Sequence, residues 1–111
     1  MENTRQQKVA RQIQKDISDI FIKEAADAVR GAMVTVTTVR MSPDLSVAKV
    51  YLSVFPFGEG DRIMSVLEQS NWLIRKALGT RIKHQLKQVP ELSFFLDDSL
   101  EYIENIENLL K

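Results

Sequence analysis

Apolar positions along the first quarter of the chain fall at Val9, Ile13, Ile17, Ile20 and Phe21, the three-to-four residue spacing of an amphipathic helix. Thr4 and Gln7 stand at capping-box spacing, so the helix is predicted from about Arg5 to Ala28. Gly31 suits the left-handed conformation that follows a helix. From Met33 to Met41 the chain is dense in Val and Thr, whose branched β-carbons crowd a helix and fit a pleated strand. Ser42-Pro43-Asp44 reads as a turn. Val47 to Phe55 then alternates Ala48, Val50, Leu52 and Val54 against Lys49, Tyr51 and Ser53, which predicts a second strand and a hairpin.

Pro56-Phe57-Gly58-Glu59-Gly60 breaks the strand, and Ile63, Met64, Val66 and Leu67 restore a helical period. Ser70 and Asn71 are weak helix formers, and Asn tolerates the left-handed conformation, so a kink is predicted there. The next helix is predicted from Trp72 to Lys87, with Ile74, Leu78, Ile82 and Leu86 four residues apart until Val89-Pro90. Leu92 to Leu96 is short, apolar and aromatic, as a third strand would be. Asp98 and Glu101 resemble another capping box, and Leu100, Ile103, Ile106 and Leu110 predict a closing helix at about 99–110. This order predicts an α+β fold, a three-stranded sheet with helices on one face. With no repeat and no linker, residues 1–111 are expected to form one domain.

Composition narrows the function classes. The 111 residues are 44% hydrophobic and 27% charged, as in an ordinary globular domain. No cysteine is present, which excludes disulfides, thiolate metal sites and a cysteine nucleophile. Neither a signal-peptide block nor an apolar run of membrane-spanning length occurs, so a cytoplasmic location with no membrane partner is expected. Catalytic chemistry has little to work with. His84 is the single histidine, and no zinc spacing or phosphate loop can be found. Asp97-Asp98 lies between a strand and a helix, where Asp98 fits a helix cap better than a catalytic pair. No enzyme, metal or cofactor is expected.

Fifteen basic and fifteen acidic residues give zero formal net charge, but their distribution is uneven. Arg75, Lys76, Arg81, Lys83, His84 and Lys87 occupy a stretch with no acid, and Glu91, Asp97, Asp98, Glu101, Glu104 and Glu107 one with no base. A polarised surface attracts phosphate at one end and orients a polyanion. On a helix from Trp72 to Lys87, the apolar stripe faces away from Lys76, Thr80, Lys83 and Lys87. Gly79 lies beside that basic stripe, where the missing side chain would let a sugar-phosphate backbone approach. Arg5, Lys8, Arg11 and Lys15 form a second basic stripe on the first helix.

The order of helix, hairpin, helix, kink, helix and strand resembles a type II KH domain, a module that binds RNA. Four stretches are similar to successive signatures of the bacterial ribosome-binding factor A family: Val34 to Leu45, Ala48 to Val54, Leu73-Ile74-Arg75, and Pro90 to Ser99. The resemblance implies a non-catalytic factor that binds ribosomal RNA of the immature small subunit and assists its late maturation, often at low temperature. It implies a monomer and makes assembly GTPases candidate partners. The family's Ala-x-Gly kink is replaced here by Ser70-Asn71-Trp72, in which Trp72 lacks glycine's backbone freedom. The expected RNA contacts are Lys76, Lys83 and Lys87, with Arg75 and Arg81 at the margins. Ser70, Asn71, Gly79 and Thr80 would allow close approach, and Arg5, Lys8, Arg11 and Lys15 would add a second contact. The competing expectation is a protein–protein adaptor that uses the exposed sheet face with Tyr51, Phe55 and Trp72 as anchors, against which these aromatics read better as core or rim.

Overall fold

The structure, a computed structural model, describes residues 4–23, 26 and 29–97. The element order is α1 (Thr4–Lys23), β1 (Met33–Met41), β2 (Val47–Phe55), a single 3-10 turn (Phe57–Glu59), α2 (Gly60–Gln69), α3 (Asn71–Ile82) and β3 (Glu91–Leu96). The fold is α+β with a three-stranded sheet in the order β1-β2-β3. The closing helix expected at about 99–110 lies outside the described residues. So do most of the residues expected to carry α1 on to Ala28, and Ala26 stands in a turn. Gly31 takes the left-handed conformation anticipated for it, with φ 87.

β1 and β2 pair antiparallel, whereas β3 runs parallel to β2, from Val47 beside Glu91 to Leu52 beside Leu96. A parallel neighbour requires a crossover, and α2 and α3 supply it. The inward residues of β2, Ala48, Val50, Leu52 and Val54, join Ile13, Ile17 and Ile20 of α1, Ile63 and Leu67 of α2, and Ile74, Leu78 and Ile82 of α3 in one hydrophobic cluster. Each fully buried side chain of this size contributes about 1.5–3 kcal/mol.

In β1 a bulge between Val36 and Thr38 shifts the pairing register. The extra residue changes the phase of alternation, so Val36, Val39 and Met41 are the buried positions. Gln14 of α1 donates its amide to the carbonyls of Val36 and Thr37, at 3.2 and 3.4 Å, and so satisfies the disrupted ladder. The Thr37 hydroxyl lies 2.7 Å from the Asp97 carboxylate, placing Asp97 in structural service at the end of β3.

The kink between α2 and α3 falls at Ser70, with φ −97 and ψ 7. Asn71 does not adopt the left-handed conformation expected of it; among described non-glycine residues only Leu45 has positive φ. Asn71 instead opens α3 and donates its side-chain amide to the Leu92 carbonyl at 2.9 Å, fastening the kink to β3. The helix predicted to reach Lys87 stops at Ile82. The chain must turn there to bring Glu91 beside β2, where its amide donates to the Ser46 carbonyl at 2.8 Å. Gln85 and Leu86 amides donate to the Ile82 carbonyl in that turn, and Leu86 packs against the core without being helical.

Candidate nucleic-acid interface

Three anchors bring distant segments together at one end of the molecule. Gln6 is buried on the inward face of α1, and its amide donates to the Met41 carbonyl at 3.0 Å, fixing the start of the helix against the end of β1. In the following turn the Asp44 carboxylate accepts hydrogen bonds from the Ser42 and Ser46 hydroxyls, at 2.8 and 2.7 Å, and from the Ser46 amide at 3.1 Å. These bonds, the Ser46 hydroxyl foremost, hold the Asp44 carboxyl at about 2. The third anchor is the Glu91–Ser46 backbone bond, which lays the 83–90 segment alongside the same turn.

The result is a groove lined by Arg5 from α1, Asp44, Leu45 and Ser46 from the hairpin turn, and the 83–88 segment with Lys83, His84 and Lys87. Cations from two parts of the sequence therefore meet, although Lys83 and Lys87 reach the site from a turn and not from a helical stripe. The Asp44 carboxylate is the one acid in the lining and is already committed to the turn.

A second groove is lined by Trp72, Arg75, Lys76, Gln88 and Val89. Gln88 lines both, so the two are neighbours. Arg75 donates from Nε to the Pro90 carbonyl at 3.1 Å and from Nη2 to the Val89 carbonyl at 2.8 Å. The guanidinium thereby pins the 88–90 segment against α3 while Arg75 still lines the groove. Val89 in turn covers Gly79, where an added β-carbon would meet Val89 Cγ2 at 2.8 Å. In the folded chain the close approach that Gly79 permits is taken up by Val89.

Arg81 is likewise engaged, its Nη1 donating to Asp19 of α1 at 2.7 Å. Its side chain is three-quarters covered, and this pair ties α3 to α1. The Arg81 bond is the main cause that lowers the Asp19 carboxyl below its ordinary value. Lys76 and Thr80 are exposed on α3, the Thr80 hydroxyl donating back to the Lys76 carbonyl. Ser70 and Asn71 are half-buried at the kink, where the Ser70 carbonyl accepts from the amides of Leu73 and Ile74.

Arg5, Lys8, Arg11 and Lys15 are all exposed on α1. Only Arg5 lines the groove with Lys83 and Lys87. Arg11 and Lys15 border a separate depression with Gln14, Ser18, Asp19 and Ile22. Of the aromatics expected in core or rim, Trp72 is 68% exposed and Phe55 59%, while Tyr51 is half-buried and stacks on Phe95 with ring centroids 5.4 Å apart. Among the described residues no group of histidine and acidic side chains could hold a metal ion, and no helix is long and apolar enough to cross a membrane.

Sequence reasoning missed Gln6, Asp44, Gln88 and Val89. Gln6 had a signal, since a polar residue occupies the apolar face it shares with Ala10, Ile13 and Ile17. Gln88 and Val89 had none, because their roles come from residues on α3.

A family model described as Ribosome-binding factor A matches residues 5–110. The chain is 43% identical over 110 residues to the ribosome-binding factor A of Cytophaga hutchinsonii, covering 99% of this chain and 83% of that protein. To the factor of Flavobacterium psychrophilum it is 41% identical over 111 residues, covering 99% and 85%. The crystal structure of ribosome-binding factor A from Thermus thermophilus superimposes with a TM-score of 0.68 at 23% identity, covering 82% of this chain and 94% of that one. A Thermus thermophilus ribosome-binding factor A homology model, fitted into the cryo-EM map of its 30S complex, gives 0.63 at 24% identity, covering 79% and 90%. At these identities the structural likenesses speak for the fold.

Proposed function

The chain belongs to the ribosome-binding factor A family, and from that premise, with its cationic groove, we propose that it binds ribosomal RNA of the immature small subunit and assists late maturation without catalysis. The observation that carries this reading is the meeting of Arg5 with Lys83, His84 and Lys87 in one groove, beside a second that Gln88 also lines and that holds Lys76. A Thermus thermophilus relative fitted into a 30S complex supports the same partner. A protein that binds one RNA conformation better than its competitors shifts the population toward it, and differential affinity suffices for that. The chain acts as a single RNA-binding domain in the cytoplasm, as a monomer, with assembly GTPases as candidate helpers and a larger role in the cold.

Sedimentation of a cell extract tests the class of function. The protein should travel with free small subunits and not with complete ribosomes. Were roughly six phosphates neutralised, the logarithmic slope of affinity against salt would be of order −4 to −5. A flat salt response, or sedimentation away from small subunits, would remove the proposal. The adaptor reading keeps one observation in its favour, the exposed apolar side chains of Met33, Phe55 and Phe95 on the sheet. Charge reversal at Lys76, Lys83 and Lys87 separates the two, because an adaptor would still hold its partner.

A further inference from the structure

Trp72 is the chain's single tryptophan and is 68% exposed, one residue into α3 after the kink at Ser70. It does not stand alone on open surface. Lys76 lies one helical turn further along the same face, and across from both runs the 88–90 segment, held in place by the Arg75 bonds to the Val89 and Pro90 carbonyls. Val89 is seated on Gly79 below, and Asn71 fixes the start of the helix through Leu92. The backbone on both sides of this open slot is therefore held by contacts that exist without a ligand. Its lining of Trp72, Arg75, Lys76, Gln88 and Val89 contains no acid.

We propose that this slot holds one unstacked nucleotide of RNA, its base lying on the Trp72 indole, its edge read by the Gln88 amide and its phosphate neutralised by Lys76. The assignment rests on the RNA-binding reading above and adds a subsite to it. Each element of the slot has one chemistry to offer. An indole presents a broad π face to any base, the amide presents a donor and an acceptor, and Lys76 presents a positive charge four residues on, about 6 Å along the axis. An RNA duplex keeps its bases stacked and has no free face to give Trp72. A single strand, a bulge or a loop does.

The test uses the intrinsic fluorescence of the unaltered protein, in which Trp72 is the sole indole emitter. A short oligoadenylate should quench it saturably, and an RNA duplex of equal length or polyglutamate should not. In anisotropy titrations with labelled oligoadenylate, Trp72→Ala should weaken binding about 5- to 30-fold. Trp72→Phe, which keeps a ring, should hold most of the affinity, and thermal melts of both variants should match the parent. Equal quenching by polyglutamate would reduce the slot to a patch of charge, and equal quenching by duplex would remove the unstacked base. Unchanged oligoadenylate affinity in Trp72→Ala would also overturn the subsite. If that variant still sediments with small subunits, the RNA-binding function stands without the subsite. If the unaltered protein does not sediment with them, that function itself fails.

Discussion

Val89 occupies the space that a side chain at Gly79 would need, its Cγ2 lying 2.8 Å from where a β-carbon would stand. Glycine inside a helix sacrifices about 1 kcal/mol relative to alanine, so Gly79→Ala would stabilise α3 if nothing opposed it. Val89 opposes it, because its branched side chain has little freedom to turn away and its carbonyl is held by Arg75. Overpacking of this kind costs about 1–3 kcal/mol, so Gly79→Ala should lower stability by up to about 2 kcal/mol in urea denaturation. In a Val89→Ala background the same change should be neutral or stabilising. A destabilising effect of equal size in both backgrounds would separate Gly79 from Val89.

Asn71→Ala should cost about 1 kcal/mol, since it leaves the carbonyl of buried Leu92 without the side-chain amide that meets it at 2.9 Å. Hydrogen exchange should quicken at the start of α3 and the start of β3 together, because one bond joins them. Quickening confined to α3 would show that the kink is held by its own backbone.

The elements were legible where one period ran uninterrupted, and the misreadings lie where a distant segment intervened. Val47 to Phe55 keeps its inward set, with Ala48, Val50, Leu52 and Val54 all buried, although Ser53, expected outward, is buried as well. β1 does not keep its phase, because the bulge at Thr37 is secured by Gln14, a residue on another element. The spacing of Ile82 and Leu86 continued a helix that the Glu91–Ser46 bond requires the chain to end. In the candidate site, the helical stripe sets Arg75 and Arg81 at the margins of Lys76 and Lys83 without saying what engages them. Their difference comes from the Val89 and Pro90 carbonyls and from Asp19, none of which the local sequence announces. Arg5 carried no mark distinguishing it from Lys15, yet Gln6 anchors its end of α1 at the groove.

The Asp44 turn should respond to acid in a defined window. Its carboxyl is held at about 2, below the ordinary 3.8, with the Ser46 hydroxyl as the largest cause and the Ser42 hydroxyl next. A carboxyl depressed in the folded protein contributes stability that is present above the ordinary value and is lost as pH falls through the folded one. The turn should therefore stay closed at neutral pH and loosen as pH drops from 3.8 toward about 2. Carboxyl carbon NMR of Asp44 reads this midpoint directly, and Ser46→Ala should raise it. An unaltered protein titrating at the ordinary value would contradict the hydrogen bonds assigned to the turn.

The two ends of the α1 basic stripe should behave differently toward RNA. Arg5 and Lys15 are ten residues apart, about 15 Å along the helix at 1.5 Å per residue, which exceeds the Debye length of about 8 Å at physiological ionic strength. Arg5 shares a groove with Lys83 and Lys87, whereas Lys15 borders a different surface. Arg5→Glu and Lys87→Glu act on one region of the ligand, so the double variant should lose less affinity than the sum of the singles. Lys15→Glu should add to Lys87→Glu without coupling, because the sites share no neighbour. Each lost phosphate contact should also flatten the logarithmic salt slope by about 0.7–0.9, and this separates a removed contact from a misfolded variant whose binding simply vanishes. Arg81→Glu is unsuited to the comparison, since it would place a carboxylate against Asp19 and strain the α1–α3 junction before reporting on RNA. Coupling between Lys15 and Lys87 as strong as that between Arg5 and Lys87 would mean that the RNA follows the whole face of α1, and that the groove at its start has no special part in binding.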